Sequence, residues 1–340
     1  MTPADLLGGA MLAALVLYAL LGGADFGGGV LDLVARGPRR EAQRGLVEGA
    51  IGPVWEANHV WLILVVVLLF TAFPPAFAAV SIGLFVPLVL LLAGIVLRGA
   101  AFTFRHYDRP DPRVRVRWGL VFSVSSVLAP LMLGTVVGAL ASGRVSADGS
   151  DPFLWLSWFP LSVGLLAVTL FAFLAATYSA VEAEAQGLPD LVDDFRTHGI
   201  RLGVQVFALA GIAAVLSHGE APLVFAGLTR RAWSIPLHLA TGAAAVTAFA
   251  GLLQGRLRLA RAAAVIQVTL IVAGWGLAQH PFLYASGPTL ASASAPRDTQ
   301  VAVLWALAAG AVFLFPALYL LLRTFKGERP MAVVDRPPHG

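Results

Sequence analysis

Glu56, Asn58, His59 and Trp61 stand together in the string Pro53-Val54-Trp55-Glu56-Ala57-Asn58-His59-Val60-Trp61-Leu62-Ile63. The string opens an apolar run that continues through Val65, Val66, Val67, Leu68, Leu69 and Phe70, long enough to cross a bilayer. A carboxylate inside such a run costs roughly 2.5–3.5 kcal/mol on insertion scales, so it faces protein or water and commonly handles ions or protons. His59, three residues after Glu56, shares its helical face. It could relay protons or ligate a metal, or be a hydrogen-bonded structural histidine. Asn58 is expected to satisfy a polar partner, and Trp55 and Trp61 to pack or to sit at the membrane interface.

A second carboxylate, Asp25, lies in Gly22-Gly23-Ala24-Asp25-Phe26-Gly27-Gly28-Gly29. If consecutive runs cross the membrane in opposite directions, Asp25 and Glu56 reach similar depth. The glycines around Asp25 allow helices or water to approach closely. The functional reading is a proton entry path with desolvated carboxyls; the plain one is a pair of static polar groups near helix ends. Arg98, at the end of the third apolar run, reads either as a snorkelling residue or as a charge partner for a carboxylate on a neighbouring helix. His238 and His280 fall at the opposite ends of later runs and read as structural or interfacial. The glycine runs are no phosphate loops, for no strand precedes them and no GK[ST] follows.

The elements that carry these residues are membrane spans. Of 340 residues, 58% are hydrophobic and 12% charged, against about 25% charged in soluble domains; mean hydropathy is +0.82. Nine apolar segments have spanning length: about 5–34, 53–73, 76–98, 118–141, 156–180, 200–217, 234–254, 259–278 and 299–322. Phe73-Pro74-Pro75 predicts a tight turn after the second. The loops that follow the odd-numbered spans, with the C-terminus, hold 19 of the 23 basic residues. The positive-inside rule therefore predicts an external N-terminus and a cytoplasmic C-terminus. The same distribution argues against nucleic-acid binding despite the net charge of +4. With no cysteine, disulfides, thiolate metal sites and iron–sulfur clusters are excluded. Met1–Asp5 lacks a basic leader region, so the first helix is expected to be retained. Residues 1–325 read as one polytopic transmembrane domain and 326–340 as a Pro-rich disordered tail.

These residues resemble subunit II of the cytochrome bd-type quinol oxidases. Ala24-Asp25-Phe26-Gly27-Gly28-Gly29 is similar to the family's Asp-x-Gly-x-Gly segment. Pro53-Val54-Trp55-Glu56-Ala57-Asn58-His59-Val60-Trp61-Leu62 matches Pro-x-Trp-Asp/Glu-Gly/Ala-Asn-x-x-Trp-Leu. Leu97-Arg98-Gly99, Ala175-Ala176-Thr177-Tyr178, His280-Pro281-Phe282-Leu283 and Phe315-Pro316 fit further segments. Three positions depart from the pattern: Gly22 where many members carry a second acid, Glu56 where Asp is frequent, and Ala57 where Gly is frequent.

The resemblance implies an all-α fold of nine spans in two four-helix bundles plus a peripheral helix. It implies an accessory chain in a prokaryotic cytoplasmic membrane, paired with a subunit I that carries two b-type haems and one d-type haem. A small single-helix subunit, quinone and lipids are further implied partners, and no nucleic acid. The complex would oxidise quinol and reduce oxygen to water. No catalytic or metal-ligating residue is expected in this chain. Its share would be support of subunit I and a cytoplasmic proton path through Glu56, Asp25, His59 and Asn58, with Arg98 as charge partner. Two other readings stay open from the residues alone: a proton-coupled secondary transporter, built on broken helices in repeated halves, and a scaffold with no proton role.

Overall fold

The structure is a computed structural model that describes residues 2–51, 55–107, 112–145 and 148–326. The expectations for Pro53, for the Trp55 side chain and for the C-terminal tail fall outside the described residues. Among the described residues, twelve α-helices follow in chain order. They are α1 (Pro3–Val34), α2 (Arg40–Ile51), α3 (Trp55–Ala72), α4 (Pro74–Gly83), α5 (Phe85–Tyr107) and α6 (Pro112–Ser142), then α7 (Trp158–Ala185), α8 (Pro189–Glu220), α9 (Pro222–Arg230), α10 (Ser234–Leu253), α11 (Leu257–Gln279) and α12 (Arg297–Lys326).

Local chemistry sets the ends. Thr2 caps α1 by accepting from the Asp5 amide at 3.2 Å while its own amide donates to the Asp5 carboxylate at 2.8 Å, a capping box followed by Pro3 at the first helical position. Proline likewise opens α4, α8 and α9. Gly187 and Gly255, with φ of +68° and +72°, close α7 and α10 in the left-handed conformation that glycine adopts without strain.

Eight helices are long and apolar enough to cross a membrane, and nine spans result if the bent pair α3–α4 counts as one, among the described residues. Several boundaries differ from the hydropathy pattern. The third run does not begin a span at 76: Phe73 breaks the chain and α4 leaves α3 at 118°. The long helix starts only at Phe85. The turn at Phe73-Pro74-Pro75 is the one that the prolines predict, whereas the second break, at Leu84, falls within apolar sequence where a hydropathy window cannot see it. The sixth segment is much longer than its apolar core, running from Pro189 to Glu220. Arg40–Ile51 forms an amphipathic helix, α2, where the sequence reading had only a basic loop.

α1 is the central element. It packs against α7, α3, α6 and α11, and more lightly against α2 and α12. α5 pairs with α6, α7 with α8, and α10 with α11. The segment after α11 folds back over one end of the bundle: the Ala285 amide donates to the Leu140 carbonyl and the Ala295 amide to the Ala72 carbonyl, both at 2.8 Å.

Candidate functional site

The glycines of α1 make the site. A Cβ at Gly27 would collide with the Phe171 carbonyl of α7, and one at Gly29 with the Ser126 hydroxyl of α6. Without them, α1 lies directly on both neighbours, and Asp25 is closed off at 6% exposure. The Asn58 amide of α3 donates to the Asp25 carboxylate and reaches the Leu21 carbonyl at 3.4 Å. A buried carboxylate requires such partners.

Arg98 is the largest fully buried side chain, 1% exposed. Its Nη2 donates to the Asp25 backbone carbonyl at 3.0 Å and its Nε to Ser126 Oγ at 3.2 Å. The guanidinium lies over the Phe26 and Phe122 rings, 5.0 and 5.2 Å from their centroids, within cation–π range. It attracts the Asp25 carboxylate. Arg98 therefore does not snorkel to the headgroups: it lies in the interior of α5, because that helix runs nine residues beyond it.

His59 is half-buried between aromatic rings, 5.9 Å from those of Tyr18 and Phe26, with Nδ1 3.5 Å from the Tyr18 hydroxyl. Glu56 sits in the first turn of α3, where the helix dipole favours a carboxylate. It is exposed on the surface of this chain. The structure thus brings Asp25, Asn58 and Arg98 into direct contact and sets His59 beside them. Glu56 is exposed rather than buried with that cluster. His238 bonds through Nδ1 to the Ser234 carbonyl of its own helix at 2.6 Å, a local structural role.

Sequence reasoning missed Asp32, which is 4% exposed. Its carboxylate is 3.2 Å from Arg44 Nε of α2 and accepts from Ser123 Oγ of α6 at 2.6 Å. The available signal was its spacing: seven residues after Asp25, two turns on the same face of α1. A second clamp holds α2 to α8, with Arg39 donating to Asp194 through Nε and Nη2 at 2.8 and 2.5 Å and Gln43 at 2.7 Å.

A membrane protein, all-helical among the described residues and built around a buried carboxylate, an amide and an arginine, is the class that fold and site define. The family model for cytochrome bd terminal oxidase subunit II matches residues 4–325, and the chain belongs to that family. Subunit 2 of the cytochrome bd-I ubiquinol oxidase of Escherichia coli K12 is 30% identical over 173 residues, 48% of this chain and 45% of that one. Subunit 2 of the cytochrome bd ubiquinol oxidase of Bacillus subtilis 168 is 33% identical over 132 residues, 38% of each chain. The chain thus spans less than half the length of these curated relatives in alignment. The fold is that of the bd oxidase structure from Geobacillus thermodenitrificans, with a TM-score of 0.79 at 22% identity, covering 96% of this chain and 99% of that one.

A haem needs axial His, Met, Cys or Tyr ligands with room for the macrocycle. The cluster does not fit one. His59 is stacked among rings and shares its Nδ1 with Tyr18, and the space around Asp25 is filled by Asn58, Arg98 and Phe26.

Proposed function

We propose that this chain is the accessory integral subunit of a bd-type terminal quinol oxidase in a prokaryotic cytoplasmic membrane. The complex oxidises quinol and reduces oxygen to water. Subunit I is the partner and holds the two b-type haems and the d-type haem; quinone, lipids and a small single-helix subunit complete the assembly. The N-terminus is external and the C-terminus cytoplasmic. The nine spans form two four-helix bundles and a peripheral helix. This chain braces subunit I and conducts protons from the cytoplasm towards the oxygen-reducing site.

The observation that carries the proton role is Asp25: a carboxylate buried by glycine packing, hydrogen-bonded by Asn58 and attended by Arg98. An anion so enclosed is costly unless paired, and the arrangement lets it gain and lose a proton with little movement. Glu56, exposed on this chain, lies on a face suited to cover by subunit I, where it would take the proton onward with His59 between. The bent α3–α4 pair is the one feature shared with broken-helix transporters, and it has no counterpart in a second half among the described residues.

The test is oxygen consumption by the two-subunit oxidase with saturating quinol. Asp25→Asn is expected to lower turnover at least roughly tenfold with the visible haem spectrum intact. Glu56→Gln is expected to slow it as well, by less. Wild-type rates in both variants would leave a scaffold and remove the proton role.

A further inference from the structure

Asp32 has no part in the path just described, yet it is as buried as Asp25 and lies two turns along the same face of α1, about 10.5 Å by helical rise. On one side it meets Arg44, whose side chain is 28% exposed. Arg44 Nη1 in turn lies 3.6 Å from Glu41, 72% exposed. On the other side it meets Ser123. Ser126 stands one turn further along α6, on the same face, and accepts from Arg98, which donates to the Asp25 carbonyl. Between the two carboxylates α1 presents Gly28 and Gly29, and the missing Cβ of Gly29 is the space that Ser126 enters. Among the described residues, the charged groups that face Asp32 are Arg44 and, behind it, Glu41 from α2, and α6 faces it with Ser123.

We propose that Asp32 is the proton-collecting carboxyl of this chain, taking protons from water at the Arg44–Glu41 edge and passing them along the α1–α6 seam to Asp25. The inference rests on the proton-path reading above and extends it to the entry point. The transfer balances. The Asp32 carboxylate takes a proton from water and becomes the donor to Ser123 Oγ, reversing the present hydrogen bond. The Ser123 proton is then released inward, and a water bridges to Ser126 and on to Asp25. The Asp25 carboxylate ends protonated, and Asp32 returns to its anionic form. The competing explanation is a static ion pair that anchors α2.

The experiment measures turnover of the two-subunit oxidase from mildly acid to mildly alkaline pH. A collecting group matters most where protons are scarce, so Asp32→Asn is expected to lose little in acid and roughly tenfold at the alkaline end. Asp32→Glu should restore the profile. Arg39→Gln takes the ion pair out of the other clamp on α2, leaving only the Gln43–Asp194 bond, and should leave the profile unchanged. A wild-type profile for Asp32→Asn beside a slow Asp25→Asn overturns the inference and leaves the path through Asp25 standing. Wild-type rates in both overturn the path as well. The same loss in Arg39→Gln assigns the effect to anchoring of α2 and overturns the inference. If Asp32→Asn does not assemble, Ser123→Ala decides: an alkaline-weighted loss supports the relay, and a wild-type profile overturns it.

Discussion

At the residue scale, Arg98 shows what burial adds to charge. Its guanidinium donates in two directions, to Ser126 on α6 and to the Asp25 carbonyl on α1, while its plane lies over two phenyl rings. Arg98→Ala would take the buried donor from the Asp25 carbonyl and from Ser126, a loss of about 1–3 kcal/mol. The expected outcome is a lower unfolding temperature and a reduced yield of assembled oxidase. Arg98→Lys keeps the charge, but a single ammonium cannot reach both acceptors in the same geometry. It should unfold between the two, as read by thermal unfolding of the purified complex. The sequence made part of this site legible. Asp25 and Asn58 stand out because polar residues are conspicuous in apolar runs. Arg98 left two readings open because its apolar run ends there while its helix continues, and Asp32 escapes notice because a carboxylate near the end of a run resembles an ordinary helix terminus.

At the element scale, α1 acts as a keel whose missing side chains decide how close its neighbours come. Gly27 faces the Phe171 backbone directly, while Gly9 has open space where a Cβ would go. Gly27→Ala should therefore push α1 from α7 and disturb the Asp25 cluster, with an overpacking cost of about 1–3 kcal/mol. Gly9→Ala, which meets nothing and gains helix propensity, should be neutral or slightly stabilising. Comparing yields and unfolding temperatures of the two variants checks this. Equal behaviour would mean that the α1–α7 contact is looser than the geometry states. Spans with both ends punctuated by glycine, proline or charge, such as α10 and α11, lie close to their predicted limits. Those that extend into polar ends, as α8 does, or that break within apolar sequence, as at Leu84, are not. Hydropathy measures transfer to lipid and is blind to a bend that lipid does not penalise.

At the scale of the whole molecule, orientation decides whether the α1–α6 seam opens to the cytoplasm. Asp32, Arg44 and the turn between α7 and α8 lie at one end, joined by the Arg39–Asp194 clamp. The loop after α6, carrying Arg144 paired with Asp151 at 2.8 Å, leaves the opposite end of that helix. The excess of arginine at the first end predicts that it faces the cytoplasm. Because the chain contains no cysteine, single introduced thiols report the answer without background. Ser150 and Ala185 are both exposed, one in the loop after α6 and the other at the end of α7. A membrane-impermeant maleimide applied to intact cells should label Ser150→Cys at once and Ala185→Cys only after permeabilisation. The reverse pattern would turn the seam outward. Asp32 would then face the outside, and the entry proposed for it could not draw on the cytoplasm.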